Sequence, residues 1–138
     1  MADTFIFELV SPERLLISEA ATIVTLPGAD GDMGVLANHA PVMTGLRPGV
    51  LVVTKETGEE ESYFVRGGFA DIAGPSVTVL AEFAVPTSDL TKDMFDAQVA
   101  AAKEEHEAAL KDGDEAKIAN TQAYVDQLTH MESTLISA

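Results

Sequence analysis

The run Ala84-Val85-Pro86-Thr87-Ser88-Asp89 separates two stretches of different composition. Before it or at its centre lie all six prolines, nine of the ten glycines and six of the eight aromatic residues. After Pro86 come ten alanines and no proline, with one glycine, Gly113. Gly and Pro punctuate short strands and turns, whereas Ala favours helix. The expectation is an α+β chain in two parts, with residues 1–86 all β and residues 87–138 all α.

Working toward the N-terminus, residues 1–86 alternate as strands do. Phe5, Phe7 and Leu9 interleave with Ile6, Glu8 and Val10, and Ser11-Pro12 ends the run. Ala20 to Leu26 is β-branched, and Val77 and Val79 alternate with Thr78 and Leu80. Val50 to Thr54 and Ser62 to Phe69 flank Thr57-Gly58-Glu59, a hairpin turn. Short strands with frequent turn signals predict a sandwich or flattened barrel.

Working toward the C-terminus, Thr87-Ser88-Asp89 offers N-caps for a helix to about Lys111. Asp112-Gly113-Asp114 breaks it, and a second helix is expected from Glu115 to Thr134. Ile118, Val125, Leu128 and Leu135 share one face of the second helix, facing Met94, Phe95, Val99, Ala102 and Leu110 of the first. Alanine-rich seams pack closely but bury little area, so this hairpin is expected to be the less stable part.

Eight Lys and Arg stand against 23 Asp and Glu, a formal charge of −15. The excess is shared, at −8 over residues 1–86 and −7 over 87–138. A face for nucleic acid is excluded on charge, because phosphates must be met by Lys and Arg. The absence of cysteine excludes disulfides, thiol catalysis and thiolate metal sites. No apolar run approaches the roughly 20 residues that span a bilayer, so membrane association is expected only through a partner.

Residues 26–41, Leu-Pro-Gly-Ala-Asp-Gly-Asp-Met-Gly-Val-Leu-Ala-Asn-His-Ala-Pro, carry glycine at positions 28, 31 and 34. No P-loop Lys-Ser/Thr follows, and Asp30 and Asp32 would repel phosphate. Calcium is no better served, since the closing Glu of its loop is missing. A tight exposed turn remains. His39 has no nucleophile or ligand set around it in sequence. His106 and His130 are read as packing or surface residues, and Glu59-Glu60-Glu61 as a solvated hairpin tip. No catalytic constellation, cofactor site or metal site emerges.

Residues 26–41, followed by Leu46-Arg47-Pro48-Gly49-Val50, resemble the signature of the epsilon subunit of F-type ATP synthases, the mitochondrial delta. Arg66-Gly67-Gly68-Phe69-Ala70-Asp71-Ile72 and Val77-Thr78-Val79-Leu80-Ala81-Glu82 resemble its second and third signatures. The resemblance covers residues 4 to about 135. It implies a flattened ten-stranded β-sandwich followed by an antiparallel helical hairpin. It also implies a non-catalytic rotor subunit that binds gamma and the c-subunit ring, at the cytoplasmic face of a bacterial inner membrane. By the same resemblance Asp32, in the glycine-rich turn, faces the c ring, Asp30 is an interface residue, His39 lies near gamma, and Gly67, Gly68 and Phe69 belong to the gamma-binding neighbourhood.

Some family members bind ATP through Ile/Leu-Asp-x-x-Arg-Ala at the first helix. Here Asp96 and Ala100 match, but Val99 stands at the arginine position, and no arginine follows Arg66. A guanidinium fork for phosphate is therefore missing from the hairpin. Contact with the beta subunit through basic residues is equally undermined, so the hairpin is expected to be a weak brake or none. The alternative is a free-standing β-sandwich interaction or ligand-sensing module.

Overall fold

The computed structural model describes residues 3–28 and 31–135, with side-chain surroundings as far as Met131. The chain divides into two compact units, Met1–Ser88 and Asp89–Ala138.

The first unit holds nine strands among the described residues: β1 (Phe5–Val10), β2 (Leu15–Gly28), β3 (Gly31–Leu36), β4 (Val42–Leu46), β5 (Gly49–Lys55), β6 (Glu60–Val65), β7 (Gly68–Ala73), β8 (Ser76–Ala81) and β9 (Ala84–Pro86). β1, β8, β7, β4 and β2 pair in succession, and β2 returns to β1, closing a circuit. From β2 the order continues through β5 and β6 to β9, with β3 also on β2. The resemblance implied ten strands. Nine are found among the described residues, and the 14-residue β2 serves both halves. Its first part pairs with β1, its second with β3 and β5, across a register shift between Ala21 and Ile23.

Strand alternation sets the core. Phe5, Phe7 and Leu9 of β1 turn inward with Val77 and Val79 of β8, joined by Val24, Leu26, Leu51, Val53 and Ile72. Each such side chain contributes roughly 1.5–3 kcal/mol when fully buried.

Two sequence expectations change here. The glycine-rich run after Leu26 is more than a turn: Gly31–Leu36 is strand β3, registered against β2 from Ile23 to Gly28. Residues 62–69 are not one strand. Gly67 (φ 145°) and Gly68 (φ 135°) break the run, and β7 begins at Gly68. An L side chain rarely adopts such φ values.

In the second unit, α1 (Lys92–Asp112) and α2 (Glu115–Leu135) pack together as a hairpin. Thr91, not residues 87–89, caps α1, its hydroxyl accepting from the Met94 N–H at 3.1 Å. Thr87–Asp89 instead forms a single 3₁₀ turn. Gly113 (φ 72°) ends α1 in the left-handed region. Asp114 then caps α2, Oδ1 accepting from the N–H of Ala116 and Lys117. Ala102, Ala109 and Leu128 are buried, whereas Leu110, expected in the seam, is exposed. Leu135, also expected in the seam, has its side chain outside the described residues.

Candidate subunit interface

The glycine-rich hairpin is held by an arginine distant in sequence. Pro27 registers with Asp32 and Gly28 with Gly31 across β2 and β3. A Cβ on Gly28 would lie 2.6 Å from the Gly31 carbonyl oxygen, so the strands approach this closely only with glycine there. Arg47 donates from Nη2 to Asp32 Oδ1 at 2.6 Å and from Nη1 to the Gly28 carbonyl at 2.7 Å. Its backbone N–H donates to the Pro27 carbonyl. Asp32 thus presents its carboxylate from a fixed position. Asp30 lies outside the described residues.

His39 sits in the β3–β4 connection. Its Nδ1 donates to the Ala40 carbonyl at 2.7 Å, and its N–H to the Leu36 carbonyl. Asn38 before it has φ 65°. Both facts describe a histidine that shapes a turn.

Gly67 and Gly68 lie next to the glycine-rich hairpin through one residue: Leu46 registers with both Gly28 and Gly68. A Cβ on Gly68 would lie 1.9 Å from the Leu80 carbonyl oxygen, so β7 meets β8 here only with glycine. Phe69 then emerges on the outer face, 59% exposed. It registers with Gly45 on one side and Leu80 on the other, Leu80 with Val10, and Val10 with Leu15. This row crosses β4, β7, β8, β1 and β2, and Phe69, Leu80 and Leu15 in it are exposed. Met43 adds exposed apolar surface in the adjoining row, where it registers with Asp71. An exposed apolar strip of this kind is a candidate interaction surface.

Two features escaped the sequence reading. Arg47 appeared only as part of a motif, and nothing local signals its reach to Asp32. Glu61 is not simply solvated. Lys55 Nζ lies 2.5 Å from it and 3.2 Å from Glu19, and the Tyr63 hydroxyl donates to it at 2.8 Å. The bonds from Lys55 and then Tyr63 hold the Glu61 carboxyl below its ordinary 4.5. The bond to Glu61 and then that to Glu19 raise Lys55, and burial followed by the bond to Glu61 raises Tyr63.

In the hairpin, Asp96 pairs with Lys92 at 3.0 Å along α1, Val99 is half-buried and Ala100 exposed. His106 Nδ1 bonds Thr121 Oγ1 at 2.8 Å, joining the helices, as a packing residue would. An open groove of about 310 Å³ between α1 and α2 is lined in part by Ala108, Ala109 and Thr121, with Glu105, Asp112 and Lys117. Acidic lining of that kind suits no phosphate ligand. No group of His, Asp or Glu among the described residues could hold a metal ion, and no helix among them is long and apolar enough to cross a membrane.

A family model described as the beta-sandwich domain of the ATP synthase delta/epsilon chain matches residues 4–87. The chain belongs to this family. An ATP synthase epsilon chain from Mesorhizobium japonicum is 46% identical over 138 residues, covering all of both chains. That of Rhizobium etli (strain CIAT 652) is 44% identical over 135 residues, 98% of each. Family likeness extends to solved structures. A chain of the Euglena gracilis mitochondrial ATP synthase, in an assembly of OSCP, F1 and c-ring, aligns with TM-score 0.69 and 25% identity, over 96% of this chain and 81% of that one. A chain from the central stalk and c-ring of the Tetrahymena thermophila enzyme shares the fold at TM-score 0.57 and 13% identity, over 90% of this chain and 98% of that one. The epsilon-chain resemblance, and the sandwich followed by a hairpin, are thereby established, and the protein is a subunit of an enzyme complex peripheral to the membrane.

Proposed function

We propose that this chain works as the epsilon subunit in the rotor of a bacterial proton-translocating ATP synthase. In that role the β unit, residues 1–86, joins the gamma subunit to the c ring and passes rotation between proton flow and ATP chemistry. The observation that carries the assignment is 46% identity over the full length of an ATP synthase epsilon chain, with all three signature segments present.

Asp30 and Asp32 meet the polar loops of the c ring, and His39, Gly67, Gly68 and Phe69 belong to the gamma side. The exposed row around Phe69 supports that placement by offering apolar area for a partner. Catalysis belongs to other subunits. His39 and His106 support this reading, since each is engaged in shaping a turn or joining helices. The complex lies on the cytoplasmic face of the inner membrane, and this chain reaches the membrane only through it.

The hairpin, residues 87–138, is a weak regulator at most. Its net charge of −7 and the valine at position 99 disfavour both ATP binding and a charge-driven hold on the beta subunit. Co-purification of the full chain with gamma tests the central assignment. Elution of the chain apart from gamma at micromolar concentration would favour a free-standing module instead.

A further inference from the structure

The row beside the apolar strip carries charge of one sign. Met43, Asp71, Thr78, Glu8 and Ser18 register in turn across β4, β7, β8, β1 and β2. Asp71 is exposed and Glu8 half-buried, on strands either side of Thr78. Adjacent strands lie about 4.8 Å apart, so these two acidic residues stand roughly 10 Å apart across the threonine. The ion pairs of the described residues bring bases to Asp32, Glu19, Glu61, Glu82 and Asp96, and none to Glu8 or Asp71.

A partner that covers the apolar row must also cover these carboxylates. Removing an unpaired carboxylate from water is strongly unfavourable unless an opposite charge meets it. An apolar partner surface alone would therefore be rejected, as would an acidic one.

We propose that the outer face of β7, β8 and β1 receives a basic side chain of its stalk partner, an arginine or lysine, seated between Glu8 and Asp71 above Thr78, while an apolar strip of that partner covers Phe69, Leu80 and Val10. Arginine suits the span better, because its planar fork can bond two carboxylates at once. The inference rests on the reading that this face docks gamma, and it adds the chemistry that makes the docking selective.

The test measures binding of the full chain to gamma at about 50 and about 500 mM salt, where screening differs strongly. The parent chain should lose affinity as salt rises. E8Q/D71N should bind about 10-fold or more weaker at low salt and lose most of the salt dependence. Phe69→Ser is the companion variant. If it weakens binding while E8Q/D71N matches the parent in affinity and salt response, the basic contact is refuted and the docking face stands. Unchanged binding in both variants refutes the docking face as well. Sedimentation of the parent alone as a dimer, abolished by Phe69→Ser, would give the face to a second copy and overturn the proposal.

Discussion

Arg47 and Asp32, fifteen residues apart, meet at 2.6 Å while the same guanidinium holds the Gly28 carbonyl. One cation thus braces both strands of the glycine-rich hairpin at its turn. The carboxylate stays largely open to solvent, with 66% of its side-chain area exposed. An acidic group that is fixed yet accessible suits a contact with another subunit, since little freedom remains to be lost on binding.

Charge reversal at the hairpin separates its structural and contact roles. Arg47→Ala should lower stability by only about 1 kcal/mol, because the pair is exposed and the carbonyl bond is single. Asp32→Lys should reduce proton-driven ATP synthesis while leaving ATP hydrolysis by the detached head intact. Normal synthesis in membranes carrying Asp32→Lys would remove this residue from the c-ring contact.

Gly68 should tolerate no side chain. Alanine there would set a methyl group 1.9 Å from the Leu80 carbonyl oxygen at φ 135°. A loss of about 2–4 kcal/mol is expected in urea denaturation of the full chain. A midpoint within error of the parent would mean that β7 can leave β8 at this point without cost.

The Lys55 cluster predicts the shape of stability against pH. Glu61 titrates below its ordinary 4.5, so its contribution is complete above that value and is lost as acidification passes through the lowered one. Lys55 and Tyr63 are both raised, so their contributions are complete below their ordinary 10.5 and 10.0 and fade as pH climbs beyond them. Glu61→Gln should flatten both limbs of a denaturation series. Limbs identical to the parent's would show that the cluster contributes nothing to folding.

Removing the hairpin should spare assembly. The core cluster of the β unit draws on strands alone, so a chain ending at Ser88 should still co-elute with gamma. Binding by the full chain only would transfer the contact to the helices.

Nucleotide binding should be absent. Calorimetry of the full chain with MgATP should show no affinity tighter than about 1 mM, a limit equivalent to about −4 kcal/mol. Deleting residues 89–138 should change the ATPase rate of the reconstituted head little. A micromolar affinity, or strong activation on deletion, would mean that contacts other than arginine replace the missing fork.

Much of the fold was legible in the chain itself. The division near Pro86, the alternation of Phe5, Phe7 and Leu9, the Gly113 break and the alanine seam follow from local rules: strand period, helix propensity and the φ that glycine permits. The same rules misplaced β3, hidden in a glycine-rich run, and merged β6 with β7, because short strands and turns share residue types. Family membership was legible too, in the order and spacing of three motifs. Only the tertiary structure decided that Arg47 reaches Asp32, that Glu61 of an acidic tip closes on Lys55, and that Phe69, Leu80, Val10 and Leu15 form one row. The Lys55–Glu61 pair spans a single hairpin, but Arg47 reaches back past β4 to Asp32 on β3 and the row crosses from β8 to β1. These last contacts depend on closure of the sheet around a shared core, which no local pattern encodes.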